Sequence, residues 1–301
     1  MKRESNQDDN KKTSHIIIKK TKMEKTIAII TCWYGPYPWY FSYFIRSCEY
    51  NPTVDFIIVT DNQELIPDKP NNVKIIHKPF DELRADFSER LEFPVNLEFP
   101  YKLCDFKPAY GYLFPDIVEK YDFWGMGDLD IVYGDIRAFM TDEILNTYDI
   151  VNSRHDFISG TFCLFRNNEY INTLFKQSKD YKSIFSTSVY GGFDECSFLF
   201  IPISKEMSIF DFPDSPESIM HVIKKAEIEG KLKAFFDFIV LEGLPGKISW
   251  TNGKIYYKDI FEAMFYNLIK FKVACKKQTT FNPIPDTLYF TPSRILSKLP
   301  K

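Results

Sequence analysis

Residues Phe123–Ile136, FWGMGDLDIVYGDI, carry an apolar run into two aspartates flanked by glycines. On extended backbone, side chains two residues apart leave the same face, so Asp128 and Asp130 can converge on one hard cation or on its bound water. Two carboxylates suit Mg²⁺ or Mn²⁺, which keep open positions for phosphate oxygens and neutralise charge growing on a departing diphosphate. A solvated turn would also read this way, because Asp-x-Asp is common by chance. Position favours a functional reading: the pair ends an apolar strand in an alternating α/β chain, where ligands gather at strand carboxyl ends.

Working back from this stretch, Thr26–Cys32 (TIAIITC), Asp55–Thr60 (DFIIVT) and Val73–His77 (VKIIH) read as strands. Trp39–Glu49 and Asp81–Leu91 have helical spacing, and Tyr101–Phe114 reads as a helix with Pro108 early or at a kink. Working forward, Tyr148–Asn152 and Thr161–Phe165 read as strands and Asn168–Ser178 as a helix. Lys247–Tyr257 reads as a hairpin turning at Asn252-Gly253. Strands alternating with helices predict an α/β fold around a mostly parallel sheet, with a less regular second half. No repeat or Pro/Ser-rich linker divides the chain, which favours one composite domain.

Composition narrows the function classes. The chain has 301 residues, is 45% hydrophobic, and has 38 basic against 41 acidic side chains, a net charge of −3 that argues against a nucleic-acid partner. Aromatics reach 17%, more than a minimal core needs, so some rings are available to line a cleft. Six scattered cysteines, with no CxxC pair, read as reduced and mostly buried thiols. The polar, lysine-rich start, residues 1–24, reads as a disordered tail. It holds no signal-like apolar segment, and a cytoplasmic location is expected.

Four ordered segments, CWYGPYPWYFSYFIRSC, FIIVTDN, YKLCDFKPAYGYLFPD and FWGMGDLDIVYGDI, together resemble a family of uncharacterised bacterial glycosyltransferases of capsule and cell-surface polysaccharides. More broadly, the arrangement resembles nucleotide-sugar-dependent glycosyltransferases of the GT-A fold, whose DxD motif closes the nucleotide-binding half. The resemblance covers about residues 26–200. It implies a GT-A-like domain over residues 25–275, with a nucleotide-binding half at 25–136, an acceptor half at 137–275 and a C-terminal extension at 276–301. It also implies Mn²⁺ or Mg²⁺, a nucleotide-sugar donor, taken as a UDP-sugar, and a glycan or lipid-linked glycan acceptor.

Carried over residue by residue, the resemblance places Thr31, Trp33 and Tyr34 at the nucleotide base, although all three also read as turn and core residues. Asp61 would accept from base or ribose, or else form an Asx-turn with Asn62. Asp105 and Lys107 match a D-x-K-P pattern, with Lys107 facing a phosphate. Either could instead be an ordinary exposed helix residue. Asp128 would face the donor as well as the metal. Asp194 and Glu195, in YGGFDECSF, would contact the sugar or take the acceptor hydroxyl's proton, with Asp194 the first choice; a helix N-terminal acid is the alternative. Asp135 reads as a supporting acid or a helix cap.

Many GT-A enzymes add a late histidine as third metal ligand. Asn267 stands at about that point here, a weaker ligand through its carbonyl oxygen. His77, His155 and His221 read as packing or surface residues. Tyr256–Lys277 mixes aromatics with lysines, as an interfacial helix at the inner face of a membrane would, although a terminal helix packed on the core is the preferred reading. Two other functions remain open: a haloacid-dehalogenase-type phosphatase using Asp128-Leu129-Asp130-Ile131-Val132, and a catalytically inert sugar- or nucleotide-binding protein.

Overall fold

The computed structural model describes residues 24–237, 239–275 and 277–298; the expected tail, residues 1–24, lies outside them except for Glu24. In chain order the strands are β1 (Ile27–Cys32), β2 (Val54–Thr60), β3 (Val73–His77), β4 (Phe123–Gly127) and β5 (Ile131–Tyr133). There follow β6 (Ile150–Asn152), β7 (Phe162–Arg166), β8 (Ala234–Phe236), β9 (Val240–Leu241) and β10 (Ile248–Thr251). The last are β11 (Lys254–Tyr257), β12 (Phe261–Ala263), β13 (Phe265–Asn267), β14 (Thr287–Phe290) and β15 (Ile295–Leu296). Three longer α-helices are α1 (Phe41–Glu49), α2 (Phe80–Leu91) and α3 (Ile219–Ile228).

The central sheet has seven strands in the order β3-β2-β1-β4-β7-β6-β8. Its pairings are parallel except those of β7, which runs against both neighbours. Alternation along the strands explains the layers. Ala28, Ile30, Ile57, Val59, Trp124 and Met126 pack with Leu83, Phe87 and Leu91 of α2. Ile27, Ile29, Val54, Phe56, Ile58 and Phe123 point the other way and pack with Phe41, Phe44 and Ile45 of α1. Strands buried on both faces lose the polar alternation of a half-exposed sheet, which is why TIAIITC and DFIIVT are almost wholly apolar. Each fully buried Ile or Phe among them contributes about 1.5–3 kcal/mol.

Two smaller sheets close the molecule. β10, β11, β12, β14 and β15 form one, and β5, β13 and β9 the other. The hairpin expected around Asn252-Gly253 is present: Thr251 pairs with Lys254, and the two turn residues have φ of 48° and 77°. That geometry suits a tight two-residue turn. A Cβ on Gly253 would lie 2.5 Å from the Tyr50 Cβ, so glycine is also needed for close approach. Trp250 Nε1 donates to the Tyr133 carbonyl at 2.8 Å and ties this sheet to β5.

Three expected helices differ. Tyr101–Phe114 is a 3₁₀ helix, Pro100–Ala109, followed by one α-turn, Tyr110–Leu113. Pro108 lacks the N–H that a continuous α-helix would use there. Asn168–Ser178 likewise splits into a turn at Glu169–Asn172 and a 3₁₀ segment at Leu174–Gln177. The aromatic-basic helix at 256–277 is replaced by β11, β12, β13 and the short helix Phe271–Ala274, with Phe265, Tyr266 and Phe271 buried. The membrane contact inferred from that helix therefore loses its basis, and Lys276 lies outside the described residues. Among the described residues no helix is long and apolar enough to cross a membrane. All six cysteines are free thiols, four of them buried.

Candidate functional site

The chain moves outward from β1 to β2 and β3, then returns to β4 on the other side of β1. The carboxyl ends of β1 and β4 therefore flank a topological switch point, where open α/β sheets bind ligands. Asp128 follows the last residue of β4. Thr31, near the end of β1, is beside it: the Thr31 Oγ1 lies 3.4 Å from where a Gly127 Cβ would sit. Tyr40, leading into α1, feels both aspartates; burial raises its phenol above the usual tyrosine range, and Asp130 and Asp128 push it further.

Each aspartate is paired with a lysine. Lys107 Nζ donates to Asp128 Oδ1 at 2.6 Å and to the Gly160 carbonyl at 2.8 Å. Lys272 Nζ donates to Asp130 Oδ2 at 2.8 Å. Lys107 is 7% exposed and Lys272 34%, so one ammonium is fixed in the wall and the other stands at the rim. Burial opposes charge on Lys107, but Asp128, with Cys104 and Asp194 nearby, outweighs it and holds the ammonium well above the ordinary lysine range. Burial raises the Asp128 carboxyl against the pull of Lys107, although a third of its side-chain surface is open. Among the described residues no protein group takes the second oxygen of either aspartate.

A second acidic pair adjoins Lys107. Asp194 is 2% exposed; Tyr190 donates to its Oδ1 at 2.8 Å and Lys107 Nζ stands 3.9 Å from its Oδ2. Burial first, then Glu195 and Asp105, raise the Asp194 carboxyl well above its usual range against the pull of Lys107. Glu195 is half-buried; burial raises its carboxyl, while Lys107 and the Gly160 N–H pull it down. Sequence reasoning prefers Asp194 as the reacting acid, whereas Glu195 is the more open of the two. A Cβ at Gly160 would fall 2.2 Å from Asp194 Oδ2, so only glycine leaves that carboxylate in place.

Asp105 and Lys107, expected at the donor site or else as ordinary exposed helix residues, are both buried. In a 3₁₀ helix residues three apart eclipse, which stacks Lys102 over Asp105. Lys102 Nζ donates to Asp105 Oδ2 at 2.7 Å and to the Ile184 and Val189 carbonyls, and Asp105 accepts from the Gly191 and Phe193 N–H groups. Asp105 thus anchors the loop that carries Asp194 and Glu195. Lys107, two residues on, leaves the helix in another direction and reaches Asp128.

At the outer rim, Trp33 is half-buried and donates its Nε1 to the Pro36 carbonyl. Tyr34 is buried edge-on to Phe80 at 4.8 Å, in the core rather than at the rim. Asp61 accepts from the Gly35 N–H at 3.1 Å, and it is Asn62, not Asp61, whose side chain accepts from the N–H two residues on, at Glu64. Asp135 caps the turn Ile136–Phe139, accepting from the Ala138 N–H.

Asn267 reaches the site because β13 pairs antiparallel with β5, Asn267 opposite Ile131, and the Leu268 N–H donates to the Asp130 carbonyl at 2.7 Å. Its own side chain serves the protein: Oδ1 accepts from the Ile269 N–H at 2.9 Å, and Nδ2 lies 3.3 Å from Thr161 Oγ1. No group of three or more His, Cys, Asp or Glu side chains gathers as a metal site among the described residues. Two carboxylates with an oxygen each to spare remain a donor set that fits a hard divalent ion. Sequence reasoning missed Lys102 and Lys272. The Lys102–Asp105 spacing of three is visible in KLCD, but nothing near Lys272 points to a partner 142 residues away.

The fold and the site define a mixed α/β protein with charged pairs at the carboxyl edge of its central sheet. The chain belongs to a family of unknown function, DUF6625, whose model matches residues 29–298. No curated protein matches it. Among solved structures it is similar to the galactosyltransferase LgtC in complex with donor and acceptor sugar analogues, at 10% identity and TM-score 0.34, over 53% of this chain and 64% of that one. It thus spans less than two thirds of the LgtC chain. It is also similar to apo mouse xyloside xylosyltransferase 1, at 9% identity and TM-score 0.44, over 82% and 98% of the two chains. A third is the apo-form glycosyltransferase GlyE of Streptococcus pneumoniae, at 9% identity and TM-score 0.35, over 72% and 46%.

Proposed function

We propose that the protein is a GT-A-like glycosyltransferase that moves a sugar from a nucleotide-diphosphate donor, a UDP-sugar, to a glycan or lipid-linked glycan hydroxyl. The observation that carries this reading is the alternation of charge at the β1–β4 switch point: Asp128 with Lys107, Asp130 with Lys272. Such a site can hold both a divalent cation and a diphosphate. Asp128 and Asp130 would hold Mn²⁺ or Mg²⁺, which when bound neutralises charge on the departing diphosphate.

In this reading the nucleotide lies along the carboxyl ends of β1 and β2, past Thr31, Trp33 and Asp61. Lys107 fixes the Asp128 carboxylate and adds positive charge beside the donor. The acceptor oxygen attacks the anomeric carbon, the carbon–oxygen bond to the diphosphate breaks, and Glu195 takes the hydroxyl proton. Its raised carboxyl suits a base that works closer to neutral pH. Asp194, held by Tyr190 and hemmed by Gly160, positions Glu195 beside Lys107.

Thermal denaturation with UDP, GDP, CDP and their sugars, with and without Mn²⁺, tests the proposal, because a ligand bound to the folded state alone raises Tm. Stabilisation by one nucleotide diphosphate that depends on Mn²⁺ and vanishes in Asp130→Asn is expected. A flat response to all of them would refute it. Phosphate release from simple phosphoryl esters without nucleotide would instead favour the phosphatase.

A further inference from the structure

We infer that Lys272 is the counter-ion of Asp130 in the cleft and competes with a divalent ion for that carboxylate, which couples metal uptake to binding of a nucleoside diphosphate. This rests on the reading of the cleft given above and adds a residue and a coupling to it.

The two lysines of the cleft are held differently. Lys107 has two hydrogen-bond partners and is 7% exposed, so it has nowhere to go. Lys272 has one side-chain hydrogen bond, to Asp130, and 34% of its side chain is open. Its backbone is fixed: Phe271 beside it is fully buried, and the Lys272 N–H donates to the Leu268 carbonyl at 2.7 Å. A flexible stem on a fixed root lets the ammonium leave Asp130 without moving the strand below.

The Asp130 side chain is 12% exposed, so its charge needs a partner. A metal ion placed on the same carboxylate would meet the Lys272 ammonium at close range and be repelled. Only the Asp128 carboxylate joins Asp130 against that repulsion, because the Asn267 oxygen is turned to the Ile269 N–H and no third acidic or imidazole ligand joins the pair among the described residues. Metal alone therefore competes poorly with Lys272. A diphosphate changes the balance by offering the displaced ammonium another anion and the metal further oxygens. By linkage, each ligand then raises the affinity for the other.

Mn²⁺ titrated into the full-length protein and followed by its EPR signal, with and without UDP, tests this. Without UDP, Lys272→Met should take up Mn²⁺ at least about tenfold more tightly than wild type, and the further change Asp130→Asn should abolish the gain. UDP should tighten Mn²⁺ binding by wild type at least about tenfold, within the usual range of coupling, and tighten that of Lys272→Met less. Lys272→Arg, which keeps the charge, should follow wild type. Equal Mn²⁺ affinity of wild type and Lys272→Met without UDP overturns the inference; if Mn²⁺ and UDP still bind together, the functional reading survives. No uptake of Mn²⁺ or UDP by any form overturns both.

Discussion

Lys102 and Asp105 form an ion pair of 2.7 Å in which neither side chain has any solvent exposure. Charges so buried are tolerated when they are well hydrogen-bonded, and here they are: all three Lys102 N–H groups have acceptors and both Asp105 oxygens have donors. The pair therefore works as a clasp between the 3₁₀ helix and the loop leading to Asp194.

Asp105→Ala should open that clasp. Removing one partner of a buried pair costs about 3–5 kcal/mol. Hydrogen exchange should show the Gly191 and Phe193 amides losing protection before the strands of the central sheet do. Unchanged protection at those two amides would mean the loop is held by other contacts.

Lys107→Met should destabilise the fold by a similar amount, about 3–5 kcal/mol, because Asp128 and Asp194 lose their shared cation. The double variant Lys107→Met/Asp128→Asn should recover part of the loss in urea unfolding. If the double variant is no more stable than the single, the pair is not coupled as drawn.

Gly160→Ala places a methyl group 2.2 Å from Asp194 Oδ2. Forced repacking of this kind costs about 1–3 kcal/mol. Donor hydrolysis should fall together with stability, and adding Asp194→Ser, which vacates the space, should restore stability but not turnover. A Gly160→Ala protein as stable and active as wild type would contradict the contact.

Burial raises the carboxyls of Asp128, Asp194 and Glu195. Above the ordinary carboxylate range the folded chain thus holds protons that the unfolded chain has released. Their contribution to stability then falls as pH rises from about 4, the unfolded value, through the raised folded values, and levels off beyond them, while His221, lowered by burial, works the other way. Glu195→Gln should flatten part of that slope in unfolding curves measured across pH. The rate should rise with pH as Glu195 ionises, along a limb displaced above that of an ordinary glutamate. A slope that Glu195→Gln leaves untouched would assign it to other groups.

The central sheet was legible because β1 and β2 are almost wholly apolar and β3 is a short run rich in β-branched residues, and the β10–β11 hairpin because Asn252-Gly253 announces its turn. The neighbouring turn gives no such signal. Lys258 and Asp259 sit at φ of 55° and 57°, a region that side chains seldom enter, so KIYYKDIFEAMFYNLIKF carries no glycine to separate its strands. Read without that break, its apolar residues pass for a helix face. The aspartates of the cleft were found because they share one strand end. Their lysines were harder: Lys107 lies 21 residues from Asp128 and Lys272 142 from Asp130, and only tertiary pairing of β13 with β5 closes the second distance.

That β5–β13 pairing also sets a schedule for synthesis. The aspartates leave the ribosome well over a hundred residues before β13 and Lys272, so a nascent chain halted before residue 265 carries Asp130 without its lysine. The aspartates of such a chain would face a divalent ion without the competing ammonium.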